Sequence, residues 1–255
     1  MKQLAITALI LLSGSGAKAQ KSETRQSSAF NALEVKNGIE VVFTQGNDTS
    51  IKVESDSRDN LNEIATEVKN GTLKIYLREP VNNKPMQGTA KVFVTAENVA
   101  SFKAEGGALI KVDGKLTVNE LTIKLASGAA FSGEAACKEK CTVRASSGGV
   151  MRGIIKTEIF DTKITSGASV KITGHATAST VICNSGTFLA GRFISKNADV
   201  KATNASAAFV NSEESIIANT DNSSSITYYG EPQKVNLGEN SYAVKRDNLK
   251  LALNN

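Results

Sequence analysis

The sequence predicts an all-β protein: a stacked right-handed β-solenoid, or β-helix, with repeats of about 19 residues, preceded by a β-rich N-terminal module. Three observations predict it. A serine–glycine signal returns through the second half of the chain as Ser127-Gly128-Ala129, Ser147-Gly148-Gly149, Ser166-Gly167-Ala168 and Ser185-Gly186-Thr187. It then degrades to Asn204-Ala205-Ser206 and Asn222-Ser223-Ser224, and an earlier copy stands at Gly106-Gly107-Ala108. Apolar and polar residues alternate around each copy, as in a strand with one buried face. Small and β-branched residues carry the pattern, with aromatics at 5% and no tryptophan. That composition suits closely stacked strands. A fixed period near twenty means one supersecondary unit stacked on copies of itself.

The first residues read as an export signal. Lys2 gives a positive start, Leu4 to Leu12 is an apolar run, and Ala17-Lys18-Ala19 is a small-x-small cleavage site. The apolar run is too short for a permanent membrane span, and no cysteine follows the cleavage site to carry a lipid. Residues 1–19 are therefore assigned to a signal peptide. Residues 20–29, rich in Ser and Lys, are assigned to a flexible linker.

Residues 30–99 form the expected N-terminal β module. Phe30, Leu33 and Val35 precede Asn37-Gly38, a hairpin signal. Ile39, Val41 and Phe43 alternate, as do Ile51 and Val53. Leu61, Ile64, Ala65 and Val68 have a spacing that fits one or two helical turns. Asn70-Gly71 is a second turn, followed by Leu73, Ile75 and Leu77. Glu79 to Gly88, with Pro80 and Pro85, is a loop, and Lys91 to Thr95 another strand.

Residues 100–240 are the repeats. Aligned on the glycine position, copies stand at 107, 128, 148, 167, 186, 205 and 223. Five residues earlier lie Phe102, Ile123, Val143, Thr162, Val181, Val200 and Ala218; three later lie Ile110, Phe131, Met151, Val170, Leu189, Ala208 and Ile226. Columns that stay mostly apolar from copy to copy imply inward faces that stack. The repeats account for six or seven coils. Glycine at each corner accepts backbone angles that other residues avoid, and a Ser or Asn column there offers hydrogen bonds between coils. The polar run Asp221 to Ser225 fits a terminal coil, and residues 241–255 a tail or cap.

The signal segment, the run Phe30-x-x-Leu33-x-Val35-x-x-Gly38-Ile39-x-Val41 and the Ser-Gly repeats together resemble the head GIN domain family, described as auto-transporter adhesins of Gram-negative bacteria. The resemblance covers roughly Phe30 to Gly238. It implies a solenoid-like all-β fold and an adhesive or surface role, with no catalytic residues to carry over. No C-terminal run of amphipathic strands of the kind a self-exporting barrel needs is read in this chain.

Charge and motifs exclude more than they assign. The formal net charge is +5, and removal of Lys2 and Lys18 leaves 28 basic residues against 25 acidic, a net of +3. That is too mild for a dedicated nucleic-acid binder. The expected partner is an anionic glycan or an envelope or host surface protein; no cofactor is implied, and a homodimer through an uncovered solenoid end is plausible. The candidate binding residues stand four before each glycine position: Lys103, Lys124, Arg144, Lys163 and Lys201, interrupted by Ile182. They alternate with inward positions and so face outward. Two readings fit: a basic stripe for anionic glycans, or a solvated sheet face partly compensated by Asp161 and Asp199.

His175 is the only histidine, near a turn and without a partner for a metal site. Acids are scattered without converging on one groove, so a carbohydrate-active enzyme on a β-helix is the alternative, and a purely structural envelope component a third. Cys137 and Cys141, four apart, are either a small-loop disulfide or reduced thiols, while Cys183 reads as a core residue. Tyr228 and Tyr229 face opposite sides of their strand; terminal packing is the plainer role, and an exposed contact the alternative.

Overall fold

The computed structural model describes residues 21–79 and 88–247. The expected signal peptide, Pro80, Pro85 and the last eight residues lie outside them. The strands before the repeats are β1 (Lys21–Arg25), β2 (Ala32–Val35), β3 (Glu40–Gln45), β4 (Ser50–Ser55), β5 (Ile64–Lys69), β6 (Thr72–Leu77) and β7 (Ala90–Ala96), with one helix, α1 (Arg58–Glu63). The repeats hold β8 (Ser101–Ala104), β9 (Leu109–Leu125), β10 (Ala130–Ala145), β11 (Val150–Thr165), β12 (Ser169–Asn184), β13 (Thr187–Thr203) and β14 (Ala207–Thr220). Three short strands follow: β15 (Ser225–Tyr229), β16 (Lys234–Leu237) and β17 (Val244–Arg246). Of the described residues 70% are strand and 4% helix, and the chain winds into a β-solenoid of about eight turns with repeat spacing near 19 residues.

Each long strand bends around the rod and pairs in parallel with the coils before and after it. Val143 stacks between Ile123 and Thr162, and Val181 between Thr162 and Val200. The inward columns are buried from Phe102 to Ala218. Aromatics reinforce both halves of the stack. Phe43, Phe102 and Phe131 meet edge to face at 5.1 and 5.5 Å, and Phe160 packs against Phe188 and Phe193 at 6.1 and 5.1 Å. Each such pair contributes about 0.5–1.5 kcal/mol beyond its buried area. Thr162 interrupts the inward column, and its hydroxyl finds no hydrogen-bond partner.

The serine–glycine signal is the corner. Ser127 and Gly128 both have left-handed backbone angles (φ 52° and 74°), as do Ser147-Gly148 and Ser166-Gly167. The glycine N–H then points along the rod and donates to the first corner residue of the next coil. Gly107 reaches the Ser127 carbonyl at 2.9 Å, Gly128 that of Ser147 at 2.9 Å, and Gly148 that of Ser166 at 3.1 Å. This ladder is made by the backbone, and not by the serine side chains expected from the sequence. Side-chain oxygens take over from the Ser185-Gly186 corner onward, where Gly186 N–H donates to Ser206 Oγ at 3.2 Å, Ala205 N–H to Ser223 Oγ at 2.9 Å and Ser206 N–H to Ser224 Oγ at 3.0 Å. Asp221 accepts from Asn204 N–H at 2.6 Å and from Ser223; the Asn204 amide first, then the surrounding hydroxyl and amide donors, bring its carboxyl down to about 2.

One corner is short. Thr165 pairs with Asn184 and Ser169 with Thr187, so Ser185 and Gly186 stand opposite the three residues Ser166 to Ala168. The alternation beyond it shifts by one. Phe188 is therefore the buried residue and Leu189, expected to face inward, lies on the outer surface.

Residues 30–99 do not build a core of their own. β2 pairs in parallel with β8, and β3 with β9, so they form a coil directly beneath the first repeat. Their link, Asn37-Gly38, was expected to be a hairpin. It is a solenoid corner instead, with φ 60° and 72° and the Gly38 N–H donating to Gly106 at 2.9 Å. β6 and β7, later in sequence, form the next coil outward, on the other edges of β2 and β3. Antiparallel strands close that end: β5 on β6, β4 on β7, and β1 on β4. One apolar cluster runs from Phe30 to Tyr228.

Two local expectations are corrected here. Lys21–Arg25, expected to be flexible, is a strand, anchored by Arg25 donating to the carbonyls of Leu61 at 2.7 Å and Ile64 at 2.5 Å. The helical spacing over residues 61–68 is only half realised. α1 starts at its Ser57 cap and ends at Glu63, because Ile64, Thr66 and Val68 pair across from Leu77, Ile75 and Leu73. Asn70-Gly71 does close a hairpin, between β5 and β6.

Candidate functional site

The structure places the predicted basic residues in one outward column. Lys103 pairs with Lys124, Lys124 with Arg144, and Arg144 with Lys163; Ile182 separates Lys163 from Lys201, and Asn219 follows. Strands stack about 4.8 Å apart, so like charges in neighbouring coils repel. Two members are neutralised within the molecule. Lys103 Nζ lies 3.1 Å from Glu34 and 2.9 Å from Glu105, and Lys36 completes the cluster. Glu105 first, with Glu34 behind it, raises the Lys103 ammonium above its usual range.

Arg144 donates two hydrogen bonds to the Asp161 carboxylate, each 3.1 Å, while Lys140 lies 3.6 Å away. Burial pushes the Asp161 carboxyl up, but the bonds and charges of Arg144 and Lys140 outweigh it and hold the group below its usual value. Lys124, Lys163 and Lys201 are exposed, and among the described residues no acid lies within 4 Å of them. Asp199 forms no ion pair with the column, so the compensation expected from two aspartates comes from Asp161 alone.

A second basic column lies across the serine–glycine corner. Lys111 stacks under Ser132, then Arg152, Lys171, Leu189 and Phe209. Lys111, Arg152 and Lys171 stand four after the glycine positions 107, 148 and 167, so part of its signal was present in the sequence. The short corner at Ser185 hid which residues continue the column.

The remaining sequence candidates resolve plainly. His175 is exposed, between Lys156 and Ile194 on the neighbouring coils. Cys137, Cys141 and Cys183 are buried free thiols. The hydrogen bond from Cys137, with burial, pushes the Cys141 thiol well up, and burial raises Cys183. Tyr228 is buried and Tyr229 half-exposed. Among the described residues no three His, Cys, Asp or Glu side chains gather to hold a metal ion, and no helix is long and apolar enough to cross a membrane.

Solved structures share this fold. One described as a putative adhesin from Parabacteroides distasonis has a TM-score of 0.80 at 20% identity, covering 91% of this chain and 98% of its own. Another from the same species, described as a putative lipid binding protein, gives 0.79 at 16% identity, covering 89% and 96%. A putative adhesin from Parabacteroides merdae gives 0.79 at 16%, with the same coverage. At such identities the likeness is one of fold. No protein of curated function matches the sequence significantly. The model of one family, described as "putative auto-transporter adhesin, head GIN domain", matches residues 29–232. With the stacked coils and their serine–glycine corners in view, the chain belongs to the head GIN domain family.

Proposed function

We propose that this is an exported, non-enzymatic surface or envelope protein. Its rod presents a repeated outward face to an adhesion partner, and Lys124, Lys163 and Lys201 contact an anionic glycan. The observation that carries this reading is the outward cation column, in register from coil to coil, with three members lacking an internal acid. Charge spread evenly along a stiff scaffold suits a repeating polyanion better than a compact substrate. Asp161, one of the acids that touch the column, is held ionised by Arg144 and so suits a fixed counter-charge and not a proton donor. Family membership supports the adhesive role.

The test is a glycan array probed with the purified protein at low and physiological salt. The expected result is saturable binding to anionic glycans that weakens as salt rises. The triple variant Lys124→Glu, Lys163→Glu, Lys201→Glu should weaken binding of long polyanions by at least about tenfold. Absence of binding to every glycan class would remove this reading.

A further inference from the structure

The cations on the flank carrying the second basic column surround exposed Ile154 and half-exposed Leu189, Phe209 and Tyr229. Arg152 and Lys171 are register partners on adjacent coils, and Arg192 lies one coil further, opposite Thr173. Two hollows meet here. One, of about 630 Å³, is bordered by Arg152, Ile154, Lys171 and Thr173. The other, of about 440 Å³, shares Lys171 and Thr173 and continues past Leu189 and Arg192 to Phe209 and Tyr229. Together they form a groove across five successive coils, from β11 to β15. Among the described residues, Arg152, Lys171 and Arg192 have neither an acid within 4 Å nor a side-chain hydrogen bond. Glu134, in register with Ile154, is the acid at the lower end.

The geometry points to this groove as a subsite for an acidic oligosaccharide, one bearing carboxylates or sulfates, with Arg152, Lys171 and Arg192 taking the acid groups and Phe209 and Tyr229 the ring face. The chemistry of the two halves selects the ligand class. Cations on neighbouring coils repel one another. The stripe on the other flank relieves this at Lys103 and Arg144 with Glu34, Glu105 and Asp161, whereas here no internal acid does so and a bound anion would. Arginine offers a planar fork that matches a carboxylate or sulfate bidentately.

Leu189, Phe209 and Tyr229 add what a bare phosphate or sulfate would not use, an apolar surface for the C–H face of a sugar ring. A nucleic acid fits less well. Tracking its backbone calls for a longer basic footprint than three cations and for a more basic chain than one of net +5. The hollow around His175 mixes Lys156 and Lys196 with Glu158 and Glu213 and offers no Phe, Tyr or Trp ring. This inference rests on the glycan reading above and supplies the ring-binding subsite that the lysine stripe lacks.

The test is titration calorimetry of the purified protein with short oligogalacturonates and heparin oligosaccharides, beside neutral dextran oligomers and a single-stranded oligonucleotide. The expected result is binding of the acidic oligosaccharides alone. The variant Arg152→Gln, Lys171→Gln, Arg192→Gln should weaken it by at least about tenfold, and Phe209→Ala with Tyr229→Ala by several-fold. All these side chains face outward, and unchanged circular dichroism and melting would show that each variant folds. Reversal of Lys124, Lys163 and Lys201 should leave short oligomers bound.

Acidic oligosaccharides bound equally by the groove variants would overturn the subsite while leaving the adhesion reading standing. Failure of every acidic oligosaccharide to bind would overturn it too, and the array would then decide the adhesion reading separately. Equal or tighter binding of the oligonucleotide would assign the groove to nucleic acid and overturn it as well.

Discussion

Thr162 occupies an inward position that its neighbours in the stack fill with Val143 and Val181, and its hydroxyl has no partner. An unsatisfied buried hydroxyl costs about 1–3 kcal/mol. Thr162→Val should therefore stabilise the fold by about 1 kcal/mol, seen as a higher urea midpoint with an unchanged slope; a lower midpoint would mean that the hydroxyl is satisfied. The inward columns were legible because side chains two residues apart share a face, and that rule needs no tertiary information. It failed at Leu189, where one missing corner residue moved Phe188 into the core and Leu189 onto the surface. The same short corner hid one member of the groove: Arg152, Lys171 and Phe209 each stand four after their glycine positions, but Leu189 joins them only once that corner is known.

At the scale of the element, Asn-Gly carries two meanings. Asn37-Gly38 and Asn70-Gly71 have nearly the same left-handed angles, yet one turns the rod's corner and the other closes a hairpin. Dihedral preference specifies the bend, and the partner strands decide whether the chain returns or continues. Glycines along the coil likewise serve different ends. Gly128 stands in open space at φ +74°, while a Cβ on Gly174 would overlap the Ile155 carbonyl oxygen of the coil beneath. Gly128→Ala should cost only the left-handed strain, about 1 kcal/mol. Gly174→Ala must also push two coils apart, and should lower the unfolding free energy by at least about 2 kcal/mol more. Equal costs in denaturant titration would show that the coil spacing yields freely.

At the scale of the whole molecule, the repeats were visible and their foundation was not. β2, β3, β6 and β7 are four to seven residues long, too short to reveal a period, and the coil nearest the end comes later in the sequence than the coil it covers. Residues 30–99 therefore read as a separate module, although one core runs through both stretches. Hydrogen exchange should show it. Amides of β2 and β3, paired on both edges, should be protected as strongly as those of β9 and β10, while β1 and β17 exchange sooner. Protection of β2 and β3 that is lost well before that of β9 would mean two independently opening units.

The order of those first coils also governs when folding can begin. β2 and β3 leave a ribosome or an export channel well before their partners, and both their edges stay open until β6 and β7 arrive on one side and β8 and β9 on the other. No lasting nucleus can close around Phe43 before Phe102 has emerged, since the two rings pack together. The leading stretch is thus held unfolded by its own topology, a delay that costs loop-closure entropy and slows folding. The same delay keeps the chain threadable while it is being delivered. Once β9 docks, each further coil needs only the one before it, and growth of the rod becomes a sequence of local steps.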